Sequence, residues 1–325
     1  MPIREVEIQV AGKPTKVPAA DVCGQTVIAK GGRIKMASVL EDAVTPGEHV
    51  GDPAKFVEEL KRSGLKADVL SFFQRPPDVV PKFPYHHDMD NYAAIDTTNY
   101  EAWWNSLSQE TRRNSRLAAK RGVEVKIVMF DDELARGIHK LCNESPVRQG
   151  KPFWHYGKDF EVIKRDHATL LDRSFFVAAY LQGELIGFIK FVQVDQIGFL
   201  LHNLAFASHN DKRPSNAMVA KAVELCSQKG LKYFVHDKFT YGNKTDSTLR
   251  EFKRRNGYTQ VDFPRYYIPL TLKGRIYVGL RLYRGVIGLL PRPVLSCLLT
   301  VRGWFNRSKA KPPAPKKAEA EAKKD

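Results

Sequence analysis

Cysteine is scarce in this sequence of 325 residues. The four cysteines, Cys23, Cys142, Cys226 and Cys297, show no paired spacing, which argues against a disulfide framework. The opening residues MPIREVEIQV contain no apolar run behind a charged segment, so no secretory signal peptide is visible. We therefore expect a reducing, cytoplasmic location.

Several site motifs are also missing. There is no Gly-x-Ser-x-Gly elbow, no phosphate-binding P-loop and no dinucleotide fingerprint, so hydrolase, kinase and dehydrogenase functions lose support. The segment YHHDMDNY groups His86, His87, Asp88 and Asp90, which are metal-ligand types. Adjacent ligands on one segment rarely complete a coordination shell, and no second cluster has ligand spacing, so we predict no metal site.

Acidic residues are few relative to basic ones, which gives a net charge of +16. The excess is uneven, because residues 273–307 carry +7 with no acid and residues 308–325, a predicted disordered tail, carry +3. The first 272 residues therefore carry only +6. A mildly basic body with a strongly basic extension indicates an anionic partner for the extension.

The extension also lacks a long apolar run. Its longest uncharged run, residues 293–301, is far shorter than the roughly 20 residues that span a bilayer. In a helix, the arginines would lie away from one apolar face, as in an interfacial helix on anionic lipid. That face would carry Ile276, Leu280, Tyr283 and Ile287. This interpretation predicts a peripheral position on the inner face of a membrane. The alternative is a helix packed back onto the domain.

The first half of the chain alternates between short strands and helices. Residues 1–66 are predicted to form a small β-rich unit, with strands REVEIQV, QTVIAK and RIKMASV and a helix over residues 53–62. Residues 67–172 continue with strands, a helix over residues 100–121 that Gly122 caps, the strand VEVKIVM and two further helices.

The pattern is most regular over residues 173–272. SFFVAAYLQGELIGFIKFV predicts a hairpin across Gln182 and Gly183, and QIGFLLHNLAF predicts a third strand. A helix, the strand KYFVH, a short helix and the strand RYYIPLT follow. The predicted order is β-β-β-α-β-α-β, in an α/β (α+β) protein with mixed sheets.

This order and three sequence pieces resemble the GNAT acyltransferase superfamily, and within it the Fem-type transferases, which carry two such units in tandem. The pieces are WWNSLSQETRRNSRLAAKRGVEVKIV, KRPSNAMVAKAVELCSQKGLKYF and LREFKRRNGY, within residues 68–272. The resemblance implies tandem GNAT-like halves over residues 67–172 and 173–272. It also implies transfer of an acyl or aminoacyl group from an activated donor to an acceptor amine.

One departure from the superfamily bears on the donor. GNAT acetyltransferases usually place a Gly-rich loop before the helix that follows the central strand, where backbone N–H groups hold the pyrophosphate of coenzyme A. The loop here is ASHNDKRPSNA, and no glycine occurs over residues 199–229. The resemblance is therefore stronger to the Fem-type branch, which generally uses aminoacyl-tRNA. No tightly bound cofactor is expected, because the donor, aminoacyl-tRNA or acyl-coenzyme A, is a co-substrate.

The segment YGNKTDSTLREFKRRNGY, residues 241–258, combines a short helix with a candidate site. Leu249 and Phe252 are predicted to give the helix its buried face, and Gly257 ends it. The last-turn cations, among them Lys253 and Arg254, are explained by the helix dipole.

Residues before that helix are assigned to the site. Gly242, Asn243 and Lys244 lie between a strand end and a helix N-terminus, where N–H groups converge on an anion. The resemblance lends Tyr241 the role of protonating the leaving group. Two further residues at the start of the preceding long helix are assigned to donor or acceptor binding: Arg213 and Asn216.

Two other groups of candidate site residues each allow two interpretations. His202 alternates with apolar residues on its strand, so it is either a core histidine or the general base that deprotonates the amine. The loop over residues 146–160 carries Arg148, His155 and Tyr156, which indicate either ligand binding or a surface loop pinned by its tryptophan.

Two alternatives to the Fem-type function stay open. One is a GNAT N-acetyltransferase that uses acetyl-coenzyme A in spite of the missing glycines. The other is a catalytically silent GNAT fold that serves as a basic binding module for RNA or an anionic membrane.

Overall fold

Twelve strands form one mixed sheet through the main body of the protein. The structure, a computed structural model, describes residues 3–10, 13–40, 42, 50–74, 78–148, 151–240 and 248–285. The strands are β1 (Arg4–Val10), β2 (Lys13–Val22), β3 (Gln25–Lys30), β4 (Met36–Val39), β5 (Val69–Phe73), β6 (His87–Asp96), β7 (Val123–Val128), β8 (Val147–Arg148), β9 (Lys151–Pro152), β10 (Ser174–Leu181), β11 (Glu184–Val194), β12 (Ile197–Ala205), β13 (Tyr233–Val235) and β14 (Thr259–Pro269). The short strands β8 and β9 pair separately.

The helices lie between these strands in the chain. They are α1 (Pro53–Arg62), α2 (Tyr100–Ser106), α3 (Gln109–Lys120), α4 (Asp132–Cys142), α5 (Phe160–His167), α6 (Pro214–Gln228), α7 (Thr248–Arg255) and α8 (Leu272–Gly279). Short 3-10 turns occur at Leu171–Arg173, Ala207–Lys212 and Leu282–Arg284. The order β-β-β-α-β-α-β predicted for the last third of the main body is confirmed by β10 to β14 with α6 and α7.

The sheet has the same strand order on both sides of its central pair, β14 and β6. Beside β14 lies β5 and then β4, while beside β6 lies β13 and then β12. The pairs β4–β5 and β12–β13 are both parallel, and each needs a crossover helix, which is α1 in the first case and α6 in the second. The sheet therefore contains two halves of matching strand order. Strand β14, from the later part of the chain, completes the first half, and β6, from the earlier part of the chain, completes the second.

Hydrogen-bonded pairs cross both domain boundaries predicted from the sequence. Strand β4 pairs with β5 across the limit at residues 66 and 67, and β7 pairs with β10 across the limit at residues 172 and 173. The N-terminal strands thus belong to the same sheet as the rest. The limits of the two halves stay a prediction.

Strand β2 was not predicted from the sequence because it contains Pro14 and Pro18. Proline cannot donate a ladder hydrogen bond and is tolerated where one edge of a strand is open. Strand β3 pairs with β2 only over Ala19–Val22, so both prolines lie in a stretch that pairs with β1 alone. The prolines are therefore compatible with a strand that lies inside the sheet.

The predicted helix over residues 100–121 is divided into α2 and α3. Leu107 between them is extended, with φ −70° and ψ 147°. The hydroxyl of Ser108 accepts a hydrogen bond from the N–H of Thr111 at 3.2 Å, so Ser108 caps the second helix. This local cap favours a new helix start over continuation.

Helices cover both faces of the second half of the sheet. Ile189 on β11 packs in one apolar cluster with Met218 and Val223 of α6. Phe188, the preceding residue, packs in another cluster with Ile138 of α4 and Ile163 of α5. Because neighbouring strand residues point to opposite faces, α6 lies on one face and α4 and α5 lie on the other.

The chain separates into two compact units, Met1–Arg275 and Ile276–Asp325. The structure describes the second unit only to residue 285. In this part, the side chains of Ile276 and Leu280 are 55% and 61% exposed. Ile287 and the predicted tail lie outside the described residues. Within the described part of the chain, no helix is both long enough and apolar enough to cross a membrane.

Candidate active site

The parallel strands β12 and β13 separate towards their carboxyl ends. They pair only through Ile197–Phe199 of β12, although β12 continues to Ala205. On that edge, no described strand pairs with the rest of β12, whereas β11 accompanies it on the other edge. Ligands in open α/β sheets bind at the carboxyl ends of parallel strands, so this opening defines the candidate active site.

An open cavity of about 790 Å³ lies at the start of α6, the helix that follows β12. Arg213 precedes α6 in the left-handed conformation, with φ 58°, and no side chain caps the helix. Arg213 and Asn216, two predicted binding residues, both line this cavity. Its other walls come from α3 and α7, which contribute residues including Thr111, Asn114 and Phe252.

The cavity is rimmed by arginines that are partly neutralised. Arg254 and Arg255 both donate to the carboxylate of Glu251, which lowers the pKa of that carboxyl to about 2. Arg255 also lies 3.7 Å from Glu110. Arg213 and Arg250 complete the rim, and its four arginines face two carboxylates. The cavity therefore keeps a positive excess suited to a phosphate-bearing ligand.

The loop between β12 and α6 is held by a carboxylate of the protein. Glu144 accepts hydrogen bonds from the backbone N–H groups of Ala207 and Ser208, at 2.9 and 3.1 Å. Burial acts to raise the pKa of Glu144, but these bonds and the charge of Arg148 outweigh it, so the pKa is lowered. The first N–H groups of the loop are therefore already occupied.

Arg148, predicted to bind an anion, contacts groups of the protein itself. Its guanidinium donates to Glu144 at 3.0 Å and to the carbonyl of Leu141 at 3.3 Å, and it stacks over the ring of Phe153. The predicted binding residue Tyr156 is 45% exposed, and Trp154 near it is 49% exposed. Gln149 lies outside the described residues.

His202 belongs to a cluster of three histidines on the α4 and α5 face. Its ring centroid lies 4.6 Å from that of His167 and 5.9 Å from that of His155. Burial, followed by the charges of the other two histidines, holds the pKa of His202 well below its usual value. His155, a predicted binding residue, is only 3% exposed. Both open interpretations of His202 fit a neutral imidazole, and its catalytic role stays a prediction.

Lys253 is buried, which the sequence analysis missed. Its ammonium donates to the carbonyl oxygens of His236 and Lys238, both at 2.7 Å, and burial lowers its pKa to about 8. The spacing contained the signal, because Leu249, Lys253 and Asn256 fall at i, i+4 and i+7 on one helical face. Lys253 therefore fixes the segment that follows β13.

That segment leads directly into the predicted catalytic residues. Thr240 is held by Asn91, whose side chain accepts from the N–H of Thr240 at 2.8 Å and donates to its carbonyl at 3.3 Å. Four predicted site residues come next and lie outside the described residues: Tyr241, Gly242, Asn243 and Lys244.

The segment YHHDMDNY, for which no metal site was predicted, lies on β6 and on the residues directly before it. Asp90 forms an ion pair with Lys238 at 2.8 Å and lies 4.0 Å from Arg265. Among the residues that the structure describes, no group of three or more histidine, cysteine, aspartate or glutamate side chains is placed to hold a metal.

Comparison with known proteins identifies the fold. No protein-family model and no curated protein matches this sequence. A crystal structure of FemX matches with a TM-score of 0.58 and 12% identity, covering 86% of this chain and 90% of FemX. The C-terminal domain of a putative lysylphosphatidylglycerol synthetase from Agrobacterium fabrum matches with a TM-score of 0.51 and 13% identity, covering 82% and 88%. The chain therefore shares the fold of FemX and of this synthetase domain, which confirms the predicted mixed α/β fold and its likeness to the Fem type.

Proposed function

We propose that this protein is an N-acyltransferase that takes an aminoacyl group from aminoacyl-tRNA and transfers it to an acceptor amine. The observation that carries the choice of donor is the loop between β12 and α6. It has no glycine, it starts α6 with Pro214, which has no N–H, and Glu144 occupies its first N–H groups. A coenzyme A pyrophosphate would need those groups free.

The cavity beside α6 supports the same donor. It is open, it measures about 790 Å³, and its rim carries Arg213 and Arg250, which we assign to the phosphates, besides Arg254 and Arg255, which are bonded to Glu251. Arginine is well suited to bind phosphate groups in two-point contacts, and a tRNA acceptor end carries several of them. The name of one structural neighbour, a lysylphosphatidylglycerol synthetase, also refers to an aminoacyl product.

The chemistry is attack of the acceptor amine on the ester carbonyl. A C–N bond forms, the C–O bond to the ribose breaks, and the amine loses a proton while the leaving hydroxyl gains one. His202, kept neutral by burial, is our candidate for the group that takes the proton. It lies on the α4 and α5 face of the sheet, so the acceptor amine would enter from that face, opposite the cavity proposed for the donor. Tyr241 is our candidate for the group that gives a proton. The ammonium of Lys253 supplies positive charge near the opening, where an oxyanion would develop.

The donor is tested by giving the protein two substrates separately. One reaction contains tRNA charged with radiolabelled amino acids, the other contains radiolabelled acetyl-coenzyme A, and both contain a mixture of peptide amines. We expect saturable binding and label transfer with charged tRNA, and none with uncharged tRNA or acetyl-coenzyme A. Turnover with acetyl-coenzyme A alone would make the protein a GNAT acetyltransferase. Binding without turnover of either donor would make it a silent module.

Replacing Lys253 by methionine should lower turnover at least about tenfold, roughly 1.4 kcal/mol in the barrier. The physical reason is that methionine has similar length but no N–H donors, so the carbonyls of His236 and Lys238 lose their partner and the segment after β13 loosens. The measurement is initial rate with charged tRNA, together with amide hydrogen exchange of residues 236–240.

The matched control for this variant is Arg254→Ala on the next residue. Arg254 is exposed, and its guanidinium is already bonded to Glu251 and is not assigned to the donor's phosphates, so its loss should leave turnover and hydrogen exchange nearly unchanged. If Arg254→Ala abolished transfer while Lys253→Met did not, our division of α7 into site and scaffold would be wrong.

Tyr241→Phe and Lys244→Ala should each lower turnover at least about tenfold with little change in melting temperature. The reason is chemical, since the first removes the proposed proton donor and the second removes a cation that we assign to binding the donor's phosphates. Initial rates and thermal unfolding of both variants give the test. Wild-type rates in both variants would remove residues 241–244 from the site.

We also propose that the extension over residues 273–307 contacts an anionic membrane surface. Its support is the charge of +7 without an acid, the exposed apolar side chains of Ile276 and Leu280, and that of Leu272 directly before it. Partitioning of the full chain and of a chain ending at Leu272 onto vesicles with phosphatidylglycerol tests this contact, and equal partitioning of the two would contradict it.

A further inference from the structure

A second concave surface is built on the first half of the sheet, away from the candidate active site. It is a cavity of about 670 Å³ formed by the turn between β3 and β4, the turn between α1 and β5, and the segment after β14. We call it the basic pocket. Five of its lining residues are cations: Arg33, Lys35, Lys61, Lys66 and Lys273.

The five cations have little to neutralise them. Within the described part of the chain, none of their side chains forms an ion pair or a hydrogen bond, and Asp68 is the one acid that lines the pocket. The Asp68 carboxylate already accepts from the backbone N–H of Lys35 at 2.9 Å and from the hydroxyl of Thr271 at 2.7 Å. The pocket therefore carries a net charge of +4 on its lining residues.

The walls of the pocket strengthen this field. Leu60 and Leu65, which line it, are buried at 0% and 6% exposure and form part of the apolar core under α1. Charges of one sign above a low-dielectric wall in a concave surface focus the potential and concentrate counter-ions. Bringing five like charges together is unfavourable unless an anion offsets their repulsion. An anionic group on a surface that presents several negative charges together is thus the ligand that the pocket fits.

We propose that the basic pocket binds the phosphate group of an anionic phospholipid headgroup. Three observations favour a lipid over RNA. No aromatic side chain is among the described residues that line the pocket, so these offer no platform for stacking a base. Leu272, directly before Lys273, is 73% exposed and provides an apolar contact beside the cations. The sequence after Lys273 stays basic, apolar and free of acid to residue 307.

This pocket is independent of acyl transfer. Its lining residues belong to α1, to the start of α8 and to the turns between β3 and β4, α1 and β5, and β14 and α8, and none of them lines the cavity beside α6. The experiment therefore measures binding to vesicles and does not depend on turnover. A negative result would contradict the basic pocket's proposed ligand and would leave the proposed acyl transfer unaffected.

The test compares two double variants of the full chain. Lys61→Gln with Lys66→Gln removes two cations of the pocket, and Lys16→Gln with Lys55→Gln removes two exposed cations elsewhere on the same half. Both variants lose the same net charge. Partitioning is measured on phosphatidylcholine vesicles with and without phosphatidylglycerol, after thermal unfolding has shown that the variants are folded.

On vesicles with phosphatidylglycerol, the pocket variant should lose about tenfold in partitioning, and the control variant should lose less than about threefold. Lys66→Gln alone, which changes one exposed side chain, should give an intermediate loss. Equal losses in both double variants would show a general charge effect and overturn the proposal. No loss in the pocket variant would also overturn it, as would saturable binding of inorganic phosphate without any difference between the vesicles.

Discussion

Lowering the pH from about 7 to about 5 should remove about 4 kcal/mol from the free energy of unfolding through His155 and His236 alone. Burial is the main cause in both cases and lowers the pKa of each imidazole to about 3. The charges of His167 and Lys158 act on His155 in the same direction, and that of Lys253 acts on His236.

The sign of the effect follows from which state binds more protons. Below its usual pKa near 6.5, an unfolded histidine takes up a proton that the folded protein resists until about pH 3. Each histidine therefore costs about 1.4 kcal/mol of stability per pH unit below about 6.5, which is about 2 kcal/mol at pH 5. Burial also lowers the pKa values of His167 and His202, so they add to the loss.

Urea unfolding at several pH values and constant ionic strength measures the loss. His155→Phe keeps an aromatic ring next to Trp154 and cannot take a proton, so the loss attributable to this site, about 2 kcal/mol, should vanish. His209→Gln is the control, because His209 lies in the loop before α6 and outside the histidine cluster. A stability that is flat between pH 7 and pH 5 would contradict the burial of these imidazoles.

Replacing Gly257 by alanine should lower the free energy of unfolding by about 3 kcal/mol. Gly257 follows α7 with φ +79°, in the left-handed region that costs other residues energy. A Cβ there would lie 2.7 Å from the indole nitrogen of Trp103 and 2.9 Å from a methyl of Leu107. Trp103 cannot easily move away, because it is buried and its indole N–H donates to the carbonyl of Asn256 at 3.2 Å.

Gly230→Ala separates the two causes. Gly230 follows α6 with φ +70°, but nothing lies within 4 Å of its added Cβ. It should therefore cost only the backbone strain, about 1 kcal/mol, and the difference of about 2 kcal/mol measures the contact with Trp103. Urea unfolding of both variants gives the values. Equal losses would mean that the neighbours of Gly257 adjust without cost.

Prediction of the site from the sequence was partial. The fold brings Arg213 and Asn216 to one cavity and His202 and His155 to one cluster, but the two groups lie on opposite faces of the sheet. Spacing along a strand or helix shows which residues share a face of that element, but not which other element the face contacts. Which face meets which helix depends on contacts between distant parts of the chain.

Local signals in the sequence determined the elements themselves. The helix over Pro53–Arg62 follows from its apolar spacing, from Pro53 in its first turn and from Asp52, whose carboxylate caps it. The hairpin between β10 and β11 follows from alternation around Gln182 and Gly183, which both have positive φ as a two-residue turn requires. These preferences act over a few residues and need no other part of the chain.

The tertiary structure alone decided the exchange of β6 and β14, the acceptance of Pro14 and Pro18 in β2, and the burial of Lys253. Strand neighbours are chosen by pairing between segments more than 150 residues apart, as in β14 and β6. A proline is tolerated or excluded by whether a partner strand needs its missing N–H. A lysine becomes buried only when distant carbonyls replace the water around its ammonium, and no local pattern specifies where those carbonyls lie.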